Sequence, residues 1–213
     1  MEEINCPLCS NSGEVFHRDK KRIYHICPEC DLVFVPPCYQ LSPAQEKSRY
    51  LEHENDPGDT GYRDFLRPVA EKVLGDFSPP ARGLDFGCGT GSPLPEMLEK
   101  QGLDMDVFDP FFAPEQNVFE KKYDFITCTE VLEHLRNPLQ EMKKLFSILS
   151  PGGKLYVKTE LRTRERSFAR WHYIRDPTHI CFFSRDALRR LAALAGGKVE
   201  FGEKKITVFT PLK

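Results

Sequence analysis

Short apolar runs and longer segments of helical periodicity alternate along the chain from position 81 onward. The apolar runs are typical of buried strands and read GLDFG, DMDVF, YDFITC and KLYVK. Between them, Leu139, Met142, Phe146 and Leu149 recur at helical spacing after a start at Asn137 and Pro138. This alternation predicts a parallel, doubly wound α/β sheet with helices on both faces.

The ends of several elements also carry local signals. Ser92 is predicted to cap a helix that has Pro93 at its first position and stops at Gly102. SRDALRRLAALAGG predicts a further helix, and the two short strands KVEFG and KKITVFTP that follow it predict an antiparallel hairpin.

The segment 41–80 precedes this alternating part. Phe65, Leu66 and Val69 recur at helical spacing, so a helix is predicted over 62–75. The stretch HENDPGDTG before it is rich in charges and turn formers, and it is interpreted as a loop or frayed helix that forms a mobile lid.

Composition sets limits on the function. The chain has 213 residues, of which 40% are hydrophobic and 29% charged, and its formal net charge is −2. This acidic balance provides no general attraction to a polyanion, so nucleic-acid binding would need a local basic surface. No run approaches the ~20 apolar residues that cross a bilayer, and MEEINCPLCS lacks the features of a secretory signal. We expect a cytoplasmic protein without a membrane partner, and its oligomeric state is left open.

Four of the eight cysteines form two CxxC pairs separated by seventeen residues: Cys6, Cys9, Cys27 and Cys30. Two tight turns that each aim two thiolates at one point provide the tetrahedral sphere of a structural Zn²⁺, which predicts a zinc ribbon over 1–40. The alternatives are a redox CxxC or a disulfide, and His17 or His25 as a substitute ligand. Four thiolates leave no open position, so the role is structural or docking.

A glycine turn links the first strand of the sheet to its helix. Gly87, Gly89 and Gly91 lack side chains, which lets a ligand approach backbone amides. Their G-x-G-x-G spacing differs from the G-x-G-x-x-G of dinucleotide sites and disfavours a dinucleotide. Asp109 ends the next strand, where a carboxylate accepts both hydroxyls of a ribose. Together these residues predict a ligand that contains adenosine, although Asp109 alone beside Pro110 is typical of a turn.

Four motifs then resemble one enzyme family. LDFGCGTG, VFDP, YDFITCTEVLEHLRNP and LSPGGKLYVKT stand in the order and spacing of class I S-adenosylmethionine-dependent methyltransferases, over roughly 81–213. The chain is most similar to the small bacterial group labelled ubiquinone-biosynthesis-like methylases, in which a zinc-ribbon start and a DPTH…FFS segment also occur. The resemblance implies a Rossmann-like methyltransferase sheet, parallel with a C-terminal antiparallel hairpin, preceded by a small zinc-ribbon domain.

The resemblance also implies S-adenosylmethionine as the cofactor. Asp85 and the three glycines would surround its methionine end, Asp109 would hold its ribose, and Phe108 or Pro110 would lie near its adenine. NVFEKKYD contains no clear match for the acidic residue that many members place against the adenine amino group.

Four residues are candidates for contact with the reacting groups. By resemblance, Thr129 and Glu130 face the sulfonium or the acceptor. A base with a pKa near neutrality suits removal of the acceptor's proton, and His179 and His172 are the leading candidates because loops after parallel strands bind substrates. His134 is expected to serve packing or a strand-end hydrogen bond.

The segment RTRERSFARWHYIRDPTHICFF combines five arginines, two histidines and the single tryptophan. Positions 162–166 are expected to face water, as charge runs commonly do. Arg170 and Arg175 are expected to bind an anionic group of the substrate, with Trp171 and Tyr173 as aromatic faces beside them.

The predicted domains are a zinc ribbon at 1–40, a helical lid or linker at 41–80 and a methyltransferase domain at 81–213. The leading hypothesis is methyl transfer to a small, anionic metabolite such as a nucleotide sugar, a glycan precursor or a quinol-type acid. RNA methylation with the ribbon as an RNA-docking element is the first alternative, and the acidity of the chain argues against it. A cofactor-binding module without turnover is the second.

Overall fold

The structure is a computed structural model that describes residues 4–52 and 59–212. Positions 53–58, part of the stretch interpreted as a mobile lid, lie outside the described residues. In chain order the strands and α-helices are β1 (Glu14–Arg18), β2 (Ile23–Ile26), β3 (Val33–Phe34), α1 (Pro43–Leu51), α2 (Thr60–Asp76), β4 (Arg82–Phe86), α3 (Leu94–Glu99), β5 (Asp104–Phe108), β6 (Tyr123–Thr129), α4 (Pro138–Ile148), β7 (Leu149–Lys158), β8 (Cys181–Phe182), α5 (Arg185–Ala195), β9 (Gly197–Phe201) and β10 (Ile206–Pro211).

Six strands form the central sheet in the order β5-β4-β6-β7-β10-β9. The first four are parallel, whereas β10 runs antiparallel to β7 and pairs with β9 as a hairpin. The predicted doubly wound, Rossmann-like sheet with an antiparallel C-terminal hairpin is confirmed. Because parallel strands end at the same edge, the loops after β4, β5, β6 and β7 converge there.

Helices cover both faces of this sheet. The neighbouring β6 residues Phe125 and Ile126 point to opposite faces and belong to two separate cores. Leu66 of α2 and Leu94 of α3 pack in the core of Phe125, and Leu145 of α4 packs in that of Ile126.

The helix ends agree with the local signals to within two residues. α2 extends the predicted helix 62–75 by two residues at its start and one at its end. α3 begins one residue later than predicted, because Pro93 takes the cap position and the Ser92 hydroxyl accepts only the Leu94 N–H, at 3.3 Å. α1 lies before HENDPGDTG, in a part of the segment 41–80 for which no separate helix was predicted, and Ser42 and Gln45 close its first turn as a capping box.

The N-terminal sheet has the strand order β1-β2-β3-β8. Its last strand, β8, comes from the segment 162–183, and Phe182 pairs with Val33. The ring of Phe168 packs edge-on against Tyr24 and Phe182, at centroid distances of 5.2 and 5.3 Å. The cysteine-rich start and the segment 162–183 therefore share one sheet and one aromatic core, while the domain boundary at position 40 stays a prediction.

The first part of the segment 162–183 departs from expectation at one residue. Positions 163–166 are exposed, as predicted. The prediction was wrong for Arg162, whose side chain is only 9% exposed and forms an ion pair with the Asp31 carboxylate. Its guanidinium also donates to the Asp31 carbonyl oxygen, at 3.1 Å. Arg162 thus ties the central sheet to the N-terminal sheet. Across the described ranges, no helix is long and apolar enough to cross a bilayer.

Candidate active site

A cavity of about 810 Å³ lies at the carboxyl ends of β4, β5 and β6. The glycine turn after β4, the loops after β5 and β6, helices α1 and α2, and the segment 172–179 contribute its walls. Sites for small molecules have volumes of roughly 300–1,000 Å³. The cavity is therefore large enough for a nucleoside cofactor together with a small acceptor.

The glycine turn forms one end of the cavity. Gly87 has a φ of +82°, and a Cβ atom there would lie 2.3 Å from a methyl carbon of Val131. The amides of Gly87 and Cys88 donate to the Phe108 carbonyl oxygen, at 2.7 and 3.2 Å, which holds the turn against the end of β5. Glycine is required at position 87 for both reasons, the backbone angle and the close approach.

Asp109 lies at the end of β5, beside this turn. One of its carboxylate oxygens accepts the Gly89 N–H at 3.0 Å, and the other accepts the Phe111 and Phe112 N–H groups at 2.8 and 3.2 Å. A carboxylate offers about four acceptor positions, so Asp109 can still accept from a ligand. The Phe108 ring lines the cavity and stacks on Phe86 at a centroid distance of 5.5 Å.

Thr129 supports a ligand at this position. Its hydroxyl is buried at the cavity wall and has no hydrogen-bond partner among the described residues. Buried hydroxyl groups are rarely left without a partner, which points to a ligand atom that supplies one. The glycine turn, the Asp109 carboxylate and this hydroxyl together fit S-adenosylmethionine.

Two carboxyl groups and two hydroxyl groups form a buried network behind the cavity. Tyr173 donates to Glu133 and lies 3.2 Å from Glu130, and Thr159 donates to Glu133 at 3.0 Å. Burial raises the pKa of Glu130 to about 8, and the neighbouring Glu133 charge adds to the increase. Burial also raises the pKa of Glu133. Glu130 has a φ of +52°, an uncommon backbone angle that turns its side chain at the strand end.

His134 and His179 lie next to this network, with ring centroids 4.8 Å apart. Nδ1 of His134 faces the Thr178 carbonyl oxygen at 3.1 Å, and Nδ1 of His179 faces that of Tyr173 at 2.7 Å. A carbonyl oxygen only accepts, so each Nδ1 carries the proton and each neutral ring presents Nε2 as an acceptor. Burial lowers the pKa of both rings, that of His179 to about 3. Both rings are therefore neutral near pH 7.

This histidine pair has the donor set of a metal site. Glu133, His134 and His179 each offer one ligand atom, and these atoms lie within 4.8 Å of one another. Imidazole rings that donate their second N–H to a carbonyl oxygen are typical of metal ligands, because that bond fixes the ring orientation. Two imidazoles and one carboxylate suit first-row divalent cations.

The segment 172–179 forms the opposite wall. Four of the candidates chosen from the sequence line the cavity here: His172, Tyr173, Arg175 and His179. The side chain of His172 is 68% exposed at the mouth. Arg175 forms no salt bridge to any other described residue, so its charge is free to attract an anion.

Four candidates lie outside the cavity wall: Asp85, Gly91, Arg170 and Trp171. Asp85 is buried beneath the glycine turn and accepts a 2.6 Å hydrogen bond from Thr127. Arg170 is exposed, and Trp171 is buried with its Nε1 donating to Glu160 at 2.8 Å. Asp85 and Trp171 therefore lie behind the cavity wall, and their contacts with a ligand stay predictions.

Several cavity residues had no place among the sequence-based candidates: Arg49 and Tyr50 of α1, Tyr62 and Phe65 of α2, and Val131 and Lys144. Aromatic residues on an amphipathic helix cannot be told apart from ordinary core residues by periodicity. Glu133 was also missed, although its spacing of three residues from Glu130 in EVLEH was a usable signal.

The four cysteines of the two CxxC pairs form one thiol cluster. The Sγ atoms of Cys6 and Cys30 lie 3.5 Å apart, those of Cys9 and Cys27 also 3.5 Å, and all four lie within 4.8 Å of one another. Tetrahedral coordination with bonds of about 2.3 Å places sulfur atoms about 3.8 Å apart, so the cluster fits Zn²⁺. His17 and His25 do not belong to it.

The fold and this cavity together define a class of protein, the class I methyltransferases. A model of the methyltransferase-domain family matches residues 58–200, more than half of the chain. The chain therefore belongs to the methyltransferase-domain family.

Part of the chain is similar to curated O-methyltransferases. The ubiquinone biosynthesis O-methyltransferase of Histophilus somni is 31% identical over 38% of this chain and 45% of its own length. The ubiquinone biosynthesis O-methyltransferase of Xanthomonas axonopodis pv. citri is 32% identical over 46% of this chain and 52% of its own length. The chain thus spans about half the length of the curated relatives it matches.

Two solved structures share the fold at low identity. The 1,6-didemethyltoxoflavin-N1-methyltransferase of Burkholderia thailandensis, with bound S-adenosylhomocysteine, has a TM-score of 0.59 at 15% identity and covers 94% of this chain and 100% of its own. DesVI of Streptomyces venezuelae has a TM-score of 0.55 at 15% identity and covers 82% of this chain and 100% of its own.

Proposed function

We propose that the protein transfers a methyl group from S-adenosylmethionine to a hydroxyl oxygen of a small, anionic metabolite. The observation that carries this proposal is the single cavity that joins the glycine turn and Asp109 to the segment 172–179. The O-methyltransferase relatives support oxygen as the methylated atom, and a nucleotide sugar, a glycan precursor or a quinol-type acid fits the proposed charge.

The cofactor end lies between the glycine turn and β5. Asp109 accepts hydrogen bonds from the ribose hydroxyls, Phe108 packs near the adenine ring, and the Thr129 hydroxyl and Glu130 face the sulfonium end. S-adenosylmethionine supplies an electrophilic methyl carbon. The chain's own residues hold the acceptor in line with it and exclude water, which together account for much of the rate in a displacement of this kind.

The acceptor end lies against the segment 172–179. Arg175 binds the anionic group of the acceptor from the cavity mouth. As the new oxygen–carbon bond forms and the sulfur–carbon bond breaks, the hydroxyl proton must leave. Glu130, whose pKa is raised to about 8, is the cavity group best matched to accept it near neutral pH. His179 Nε2 and His134 Nε2 also line the cavity, but burial lowers the pKa of both rings and makes them weaker bases. The more exposed His172 at the mouth is a further candidate.

A metal-assisted form of the same function is favoured by the donor set of Glu133, His134 and His179. A divalent cation there would lower the pKa of a bound hydroxyl group. His179 would then be a ligand rather than a proton acceptor. Addition of a chelator and of single divalent cations separates these two forms.

The test uses the purified protein, S-adenosylmethionine labelled in its methyl group, and a cell extract divided into small-molecule, RNA and protein fractions. We expect label in small molecules that an anion-exchange resin retains. Label that ribonuclease releases from the RNA fraction would overturn the proposed acceptor. Failure to bind S-adenosylhomocysteine in calorimetry would overturn the proposed reaction itself.

Two arginines of the same segment provide a matched pair of variants. Arg175→Gln removes a charge from the cavity wall, whereas Arg170→Gln removes one from the exposed surface outside it. We expect R175Q to raise the acceptor KM about tenfold, the effect of one lost charge-assisted hydrogen bond. R170Q should leave KM unchanged, and equal effects of the two variants would contradict the anion-binding role of Arg175.

A further inference from the structure

Arg22, a residue of the N-terminal sheet, contacts the wall of the cavity. It lies in the turn between β1 and β2, it is buried, and its Nε donates to the Tyr24 hydroxyl at 3.1 Å. The two terminal nitrogens donate to four carbonyl oxygens, those of Ile174 (2.5 Å), Asp176 (3.2 Å), Pro177 (3.2 Å) and His179 (3.0 Å). The guanidinium group thus uses all five of its N–H donors.

The four carbonyl groups belong to one short loop, residues 174–179. The same loop contributes Arg175, Asp176 and His179 to the cavity wall. Within the loop, the Thr178 N–H donates to the Asp176 carboxylate at 2.9 Å and the His179 N–H donates to the Asp176 carbonyl oxygen at 3.3 Å. The guanidinium is therefore a main source of hydrogen bonds that fix the backbone of this wall.

The position of Arg22 is itself fixed by the N-terminal sheet. The Asp19 carboxylate accepts hydrogen bonds from the backbone N–H of Arg22 at 2.7 Å and from the Tyr24 hydroxyl at 2.8 Å. The backbone of Arg22 and the hydroxyl that its Nε contacts are therefore held by the same turn. β2 starts at the next residue and leads directly to Cys27 of the thiol cluster. The geometry of the Arg22 side chain therefore depends on the order of the cysteine-rich segment.

We propose that Arg22 is a positioning residue for the active site, through which the metal-bound N-terminal ribbon holds the loop 174–179 and the imidazole of His179 in place. The ribbon is then part of the acceptor site rather than a separate appendage. This inference rests on the proposed function for its catalytic consequence, but the positioning itself is measurable without any acceptor.

The experiment compares Arg22→Lys and Arg22→Gln with the control Arg162→Lys. Arg162 also joins the N-terminal sheet to the rest of the chain, but through Asp31 instead of the loop. Hydrogen–deuterium exchange is followed at the amides of Thr178, His179 and Ile180 and at the glycine turn. The ¹⁵N shifts of the His179 ring report whether Nδ1 still carries the proton, and binding of S-adenosylhomocysteine reports the cofactor end.

In the two Arg22 variants we expect exchange at residues 178–180 to accelerate about tenfold, the factor for one lost charge-assisted hydrogen bond. The His179 ring should lose its single tautomer, while the glycine turn and the affinity for S-adenosylhomocysteine stay as in the unaltered protein. R162K should leave residues 178–180 unchanged. An unchanged loop and ring in R22K and R22Q would overturn the proposal, as would equal effects of R162K.

Loss of the thiol-bound metal in Cys9→Ser provides a second arm that leaves Glu133, His134 and His179 unaltered. In C9S we expect faster exchange at the CxxC turns together with residues 178–180. Faster exchange confined to the CxxC turns would overturn the coupling between ribbon and active site. Absence of methyl transfer in the unaltered protein, with the loop coupled to the ribbon as expected, would count against the proposed function instead.

Discussion

Gly87 allows a quantitative test of how the glycine turn is built. Its φ is +82°, and a Cβ atom there would lie 2.3 Å from Val131. Gly152 has nearly the same angle, +83°, but a Cβ atom there would have no neighbour within 4 Å. Gly152→Ala therefore measures the cost of the backbone angle alone, whereas Gly87→Ala measures the angle and the collision together.

The left-handed angle costs an alanine about 1–2 kcal/mol. Overpacking against Val131 adds about 1–3 kcal/mol, so the free energy of unfolding should fall by about 2–5 kcal/mol in G87A. For a chain of this size, 1 kcal/mol corresponds to about 2–4 °C in Tm. We expect Tm to fall by about 4 °C in G152A and about 10 °C in G87A.

Thermal unfolding and calorimetric binding of S-adenosylhomocysteine test this expectation. The double variant Gly87→Ala/Val131→Ala should recover the part of the loss that the collision causes, but not the part from the angle. G152A should bind the ligand normally, since it lies away from the cavity. If G87A were no less stable than G152A, or if V131A gave no recovery, the proposed role of the close approach would be refuted.

Three further outcomes are expected. Asp109→Asn should weaken S-adenosylhomocysteine binding about 10- to 100-fold in calorimetry, because a charged acceptor is worth about 1.5–3 kcal/mol; unchanged affinity would contradict ribose binding there. Burial raises the pKa of Glu160, but hydrogen bonds from Lys205 and Trp171 outweigh it and lower the pKa to about 2. The stability that this carboxylate contributes is present above the unfolded pKa of about 4.3 and is lost as pH falls toward 2. The advantage over Glu160→Gln in free energy of unfolding, at most about 1 kcal/mol after screening, should therefore shrink below about pH 5 in thermal unfolding, and a pH-independent difference would contradict it. Cys9→Ser should lower zinc content from one ion per chain and reduce Tm, which metal analysis and thermal unfolding check, and an unchanged content would exclude the four-thiolate site.

Much of the central sheet follows from local pattern. Strands of buried apolar residues, the start of α4 at Pro138 and the C-terminal hairpin depend on neighbours within a few positions, and these appear in the structure as predicted. The two CxxC pairs also form one cluster, as predicted. Each pair specifies its own tight turn. Such features depend on backbone geometry that short sequences determine.

The acceptor side of the cavity could be described only from the tertiary structure. The sequence predicted both Trp171 and Tyr173 as aromatic faces for a substrate. In the structure, Trp171 donates its Nε1–H to Glu160, and of the two residues only Tyr173 lines the cavity. Helical or strand periodicity does not apply to the 3-10 turns of this segment, so it gave no basis for deciding which side chains point inward.

By itself, the sequence determined the class of the fold, the thiol cluster and the glycine turn with Asp109, because each is encoded by residues close in the chain. Only the tertiary structure decided that β8 completes the N-terminal sheet and that Arg22 holds the loop of His179, 157 positions away. A contact over that separation depends on how the whole chain closes, and no local pattern of hydrophobic and polar residues encodes it.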